Sequence, residues 1–256
     1  MEEQKNSESM FSSMPPKFAF WAGVITATAV YAVVGFGILL LMVVKGVDLG
    51  TGSTKTTKSN TNTAAAAANV NSGTTIAGKV DIDSLRNTRG EGSLTIVEYS
   101  DPECPFCKRF HTTLQQVMTD YDGKVAWSYK NFPLTSLHPK AVRESIAMEC
   151  AADQDKFWEY TDLIYERTPS NNGLEDAELF TIATDIGLNI STFTDCVENK
   201  DTESRVSADA AEAQALGGTG TPFSVIIDED GKILKSIPGA LQYETVASQL
   251  DTLLAS

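Results

Sequence analysis

The stretch "SDPECPFCKRF", Ser100 to Phe110, sets two cysteines two residues apart directly behind the apolar run Leu94-Thr95-Ile96-Val97. Leu94 to Tyr99 is short and β-rich, whereas Pro105 to about Thr119 carries apolar residues at Phe106, Phe110, Leu114 and Met118, a spacing of four. The reading is a strand running into a helix with Cys104 and Cys107 at the junction. Such a pair can be half of a zinc site, a structural crosslink or a pair of thiols that exchanges electrons with another molecule. A closed zinc site needs four ligands. The chain offers one CxxC, two isolated cysteines at Cys150 and Cys196, and only His111 and His138, with no histidine pair at ligand spacing. Zinc is disfavoured on that count. His111 reads as a solvated or partly packed side chain and His138 as a helix-start residue.

Downstream, Lys124 to Phe132 ("KVAWSYKNF") alternates enough to be a second strand and closes a β-α-β unit. From Pro133 to about Gly217 the pattern is helical. Ala141 to Cys150 and Phe157 to Ile164 carry apolar stripes, with further helices expected over Leu174 to Ile186, Ser191 to Glu198 and Thr202 to Leu216. The chain returns to sheet at "TPFSVIIDEDGKILKSI". There Phe223 to Asp228 and Lys232 to Ile237 flank the turn Glu229-Asp230-Gly231, and a last amphipathic helix runs from about Gln242 to Leu254.

Ahead of this α/β domain the composition changes twice. Phe18 to Val44 is 27 positions without a charged residue, against the roughly 20 that cross a bilayer core. It reads as a transmembrane helix following a short tail, residues 1–17. A cleaved signal peptide would have a shorter apolar core with a small-residue site close behind; Ala64 to Ala68 comes some 20 residues too late. Residues 45–78 are Thr, Ser, Asn, Gly and Ala with almost no large apolar side chain, and read as a flexible linker. Lys5 and Lys17 before the helix, against Lys45, Lys55 and Lys58 after it, do not fix its orientation. Five of the 20 Lys and Arg and four of the 34 Asp and Glu precede Lys79, so residues 79–256 carry a net charge of −15. That charge argues against a nucleic-acid partner and against adsorption to an anionic bilayer.

The order β-α-β, helical insertion, β-β-α resembles the thioredoxin fold, and in particular the DsbA-like thiol:disulfide oxidoreductases. The resemblance rests on "VEYSDPECPFC" at the end of the first core strand, "KFWEYTDLIYE" in the insertion and "GGTGTPF" before the hairpin, and covers about Val80 to Ser256. It implies a thioredoxin-like domain over 79–256 with a helical insertion at about 133–217, no cofactor, and a cis Thr221-Pro222 peptide beside the sulfurs. Cys104 is then the attacking sulfur, since a cysteine at a helix N-terminus meets unpaired N–H groups and the positive end of the dipole. Cys107, a turn further in, is expected to be buried and to resolve mixed disulfides. Pro105 and Phe106 form the intervening dipeptide, while Pro222 and Thr221 are expected to shape the peptide groove.

The resemblance also assigns Glu98, six residues before Cys104, as a buried carboxylate that takes the proton of Cys107. From pattern alone it could equally face solvent between Val97 and Tyr99. DsbA carries a His where this chain has Phe106. Phe cannot donate a hydrogen bond, and Glu103 opposes an anion at Cys104 while Lys108 and Arg109 favour it. A couple less oxidising than DsbA follows, between about −120 mV and the roughly −270 mV of thioredoxin. Family members with a second disulfide suggest pairing of Cys150 with Cys196; two inert buried thiols are the alternative.

The expected function is a membrane-tethered oxidoreductase that exchanges disulfides with cysteines of exported proteins and is recycled by a redox partner the sequence does not identify. Its catalytic domain would lie on the extracytoplasmic side of the cytoplasmic membrane, where disulfides persist. The alternatives are a reductase or isomerase of the same fold, a binding module for exported chains in which the CxxC is a static crosslink, and a purely structural spacer.

Overall fold

The computed structural model of the protein describes residues 78–256. The expected tail, transmembrane helix and linker lie outside the described residues, apart from Gly78. Among the described residues no helix is long and apolar enough to cross a membrane.

The centre of the domain is the strand that leads to the cysteines, β2 (Leu94–Ser100). It pairs in parallel with β3 (Val125–Asn131) on one side and antiparallel with β4 (Phe223–Ile227) on the other. β5 (Ile233–Pro238) extends the sheet beyond β4, and a three-residue strand β1 (Asn87–Arg89) pairs antiparallel with β3, giving the order β1-β3-β2-β4-β5. A strand in mid-sheet with both faces covered reads as a near-continuous apolar run, as "LTIVEY" does. Leu94 and Ile96 pack with Phe110, Leu114 and Val117 of α1 (Pro105–Asp120) and with Val246 and Leu250 of α7 (Tyr243–Leu254). Val97 and Tyr99 face the opposite layer with Phe223, Val225 and Ala213. Glu98 shares the α1 side with Ile96 and Ser100, because side chains alternate along a strand, and it is fully buried.

Between β3 and β4 the chain forms five helices, α2 (Ala141–Ala152), α3 (Phe157–Arg167), α4 (Asp176–Asp185), α5 (Ile190–Asn199) and α6 (Glu203–Ala215). α2 is buried along most of its length. The insertion is not wholly a lobe apart: α6 covers the second face of the sheet through Ala210 and Ala213.

Two sequence expectations shift. The four-spaced row beginning at Phe106 marks α1 correctly but is buried only at Phe110 and Leu114, since an α-helix repeats every 3.6 residues and a four-spaced row drifts around it. The buried stripe is Cys107, Phe110, His111, Leu114 and Val117, which leaves Phe106 exposed. β1 has no sequence counterpart among the expected strands; its residues are Asn-Thr-Arg. Side chains anchor it instead. Asn87 donates to Glu149 at 2.8 Å, and Arg89 donates to Asp162 at 2.7 Å with its guanidinium 4.3 Å from the Trp158 ring centroid.

Candidate active site

Cys104 is the N-cap of α1 and Pro105 occupies the first turn, where the missing N–H costs nothing. The Cys104 side chain makes no capping hydrogen bond, but the N–H groups of Phe106 and Cys107 are near enough to favour a thiolate there. Both cysteines are free thiols, Cys104 4% and Cys107 0% exposed. The Cys104 pKa is lowered to about 6, chiefly because the Cys107 thiol donates to it. Burial opposes the shift, while Thr221 and the two N–H groups assist it. Cys107 moves the other way, held well above the ordinary thiol value by burial and then by the neighbouring Cys104 sulfur. The Asp101 N–H points at Cys107 Sγ, 3.5 Å away.

Thr221-Pro222 is a cis peptide, and Cys104 Sγ lies 3.5 Å from the Thr221 carbonyl oxygen. Pro222 is buried, and its carbonyl accepts the Gly239 N–H at 2.9 Å. Thus the junction before α1 and the entry to β4, over a hundred residues apart in sequence, meet at one sulfur.

Beneath the sulfurs lies Glu98. Its Oε1 accepts from the Ser100 hydroxyl at 2.8 Å and its Oε2 from the Trp127 indole N–H at 3.0 Å. Ser100 Oγ is also 2.9 Å from the Tyr165 hydroxyl, which is 3.0 Å from that of Tyr129. Burial pushes the Glu98 pKa up to about 7, against the two hydrogen bonds that favour the carboxylate. Ser100, Trp127, Tyr129 and Tyr165 were not among the residues singled out in the sequence. Serine and aromatic residues in strands and helices have ordinary packing roles, and only the fold brings these four onto one carboxyl.

Several expectations for the neighbours are corrected. Glu103 does not oppose the thiolate: its carboxylate turns away and is fully buried, accepting the N–H groups of Gly173 and Leu174 at 3.1 Å each and lying within 3.4 Å of the Thr168 hydroxyl. Glu144 packs against it, and burial together with Glu103 pushes the Glu144 pKa to about 10. Lys108 and Arg109 do not pull on the sulfur. Lys108 donates to the carbonyls of Thr168 and Glu166, and Arg109 lies over the exposed Phe106 ring at 4.9 Å. Of the two readings of His111 the packed one holds, and more fully than expected: it is 3% exposed and bonded to Asp162 at 2.8 Å between the Trp127 and Tyr165 rings. His138 is buried as well, with Nδ1 2.9 Å from Asp101 Oδ2. Cys150 and Cys196 form a disulfide in the structure, joining α2 to α5. No group of metal-ligating side chains occurs among the described residues.

The family model for thioredoxin matches residues 90–252, well over half of the chain. The chain belongs to the thioredoxin family. Within it the fold is DsbA-like. DsbA2 of Pseudomonas aeruginosa superposes with a TM-score of 0.55 at 26% identity, over 66% of this chain and 93% of that one. BdbD of Bacillus subtilis gives 0.61 at 20% identity over 71% and 99%, a likeness of fold alone. Two curated relatives carry another name. The Na(+)/H(+) antiporter NhaA 3 of Salinispora tropica is 32% identical over 145 residues, 56% of this chain and 22% of the antiporter. NhaA 1 of Mycolicibacterium gilvum is 34% identical over 136 residues, 52% and 22%. The chain spans about a fifth of the length of these relatives, and antiport is not carried over to it.

Proposed function

We propose that this thioredoxin-family chain is a membrane-tethered thiol:disulfide oxidoreductase that exchanges disulfides with cysteines of exported proteins through Cys104 and Cys107. The observation that carries the reading is the division of labour between two sulfurs in one turn of helix: Cys104 is held as a thiolate near neutral pH, while Cys107 is fully buried and keeps its proton. A substrate thiolate attacks Cys104 of the oxidised pair and Cys107 leaves; in reverse, Cys107 attacks the mixed disulfide and releases the substrate. Glu98, close to Cys107 and titrating at about 7, accepts or returns the proton of that step. Thr221 and Pro222 border the sulfur where an extended substrate would lie, and the exposed Phe106 offers it an apolar contact.

The apolar segment 18–44 would anchor the chain in the cytoplasmic membrane, with the domain on the extracytoplasmic side. Relatives that carry the name Na(+)/H(+) antiporter are consistent with such a setting. A separate redox partner would recycle the pair.

Cys104→Ser is expected to abolish disulfide exchange with a reduced model peptide, followed by mass after alkylation. Exchange that persists would turn the reading to a binding module with a static CxxC.

A further inference from the structure

We propose that Ser100 is a catalytic residue, the hydroxyl through which a proton passes between Cys107 and Glu98; the inference rests on the exchange reaction just described. The geometry is that of a three-member wire. Ser100, the last residue of β2, is fully buried; its hydroxyl lies near enough to Cys107 to favour the thiolate there, and it donates to Glu98 Oε1 at 2.8 Å. Glu98 and Cys107 are within electrostatic range of each other, yet Glu98 is hydrogen-bonded to Ser100 and Trp127 and not to the sulfur. The Tyr165 hydroxyl at 2.9 Å fixes the orientation of Ser100 from α3. One hydroxyl with one proton and two lone pairs serves all three partners.

In the reducing direction Cys104 is joined to the substrate by a disulfide. The Cys107 thiol passes its proton to Ser100 Oγ while Ser100 passes its own to Glu98 Oε1. The Cys107 thiolate then attacks Cys104 Sγ. The Cys104–substrate S–S bond breaks as the Cys104–Cys107 bond forms, the substrate sulfur leaves with the electron pair as a thiolate, and the active-site pair is oxidised by two electrons. In the oxidising direction the same steps run backwards and Glu98 returns the proton to Cys107. The Asp101 N–H, 3.5 Å from Cys107 Sγ, meets the charge while it exists. A carboxyl titrating at about 7 suits a proton that must move both ways near neutral pH. The titratable groups that face Glu98 are Cys104 and Cys107 of α1, Tyr129 of β3 and Tyr165 of α3.

The test is rapid mixing of the full-length reduced protein with oxidised glutathione at pH 7, reading formation of the Cys104 mixed disulfide and then its resolution by Cys107. It uses wild type, Ser100→Ala, Glu98→Gln and the double variant; Ser100→Gly stands in where the alanine variant does not fold. Resolution is expected to slow at least about tenfold in Ser100→Ala, a modest part of the roughly 10²–10⁴-fold that a positioned base supplies. Because both residues lie on one route, the double variant is expected to resolve within about twofold of Glu98→Gln. Resolution in Ser100→Ala within about twofold of wild type, or losses that multiply in the double variant, would overturn the relay while leaving the exchange function intact. A wild-type protein that forms no mixed disulfide at all would overturn the function on which the relay rests.

Discussion

Glu98 is a carboxylic acid in the middle of a strand covered on both faces, and its position carries a cost that depends on pH. The folded protein holds its proton up to about 7, against an ordinary carboxyl value of 4.5. Between those values the folded state binds more protons than the unfolded chain, so stability from this group falls as pH rises through the window. At 1.36 kcal/mol per unit the loss is on the order of 3 kcal/mol. Glu98→Gln is expected to remove it: denaturant unfolding at pH 5 and pH 8 should show a smaller loss in the variant than in wild type, and equal losses would place the charge elsewhere. The two sulfurs were legible because CxxC behind an apolar strand is a short-range pattern. The direction of Glu98 was not, since Val97 and Tyr99 flank it with apolar side chains on either count. Only β3 and β4 on its two sides, and α1 above it, decide that the side chain is enclosed. Glu103 misled the sequence reading for a related reason. Adjacency in sequence to Cys104 suggested a repelling charge, whereas the backbone turn aims its carboxylate at a different segment.

That segment, Thr168 to Leu174 between α3 and α4, contains three successive non-glycine residues with positive φ, Ser170 at 66°, Asn171 at 53° and Asn172 at 66°. Isolated left-handed residues are costly enough that a run of three needs outside support. Glu103 provides it. Its carboxylate holds the N–H groups of Gly173 and Leu174, and its carbonyl accepts the Asn171 N–H at 2.8 Å. Glu103→Ala is expected to cost about 2–3 kcal/mol, because buried donors lose their acceptor, and to speed hydrogen exchange at Gly173 and Leu174 selectively. Uniform protection in the variant would contradict the pinning. The Cys150–Cys196 link between α2 and α5 closes a 46-residue separation, and its removal in the Cys150→Ser/Cys196→Ser pair is expected to lower stability by up to roughly 4 kcal/mol in chemical denaturation. At this scale the sequence was informative wherever an element has its own period. β2, β3, the hairpin and the helices of the insertion lie within three residues of where periodicity puts them. β1 was not, since three polar residues become a strand only through Glu149 and Asp162 on distant helices.

Across the whole domain one sheet organises three apolar clusters, and the reactive sulfurs lie in the one shared with the helical insertion. The insertion therefore does more than decorate the fold. α3 supplies Tyr165 to the polar chain beneath Cys107, and the α3–α4 segment braces the residue before Cys104. If the proposed exchange holds, the net charge of −15 over residues 79–256 would favour encounter with clients that carry basic segments around their cysteines. Electron exchange at Cys104-Cys107 is the property on which all of this depends. The most direct test is the reduction potential of that pair in the full-length protein, equilibrated against glutathione and resolved by mass after alkylation. The account predicts a potential between about −270 and −120 mV, with Cys104 labelled first and the Cys150–Cys196 link unchanged throughout. A pair that never equilibrates with glutathione, or one at or above about −120 mV, would contradict it.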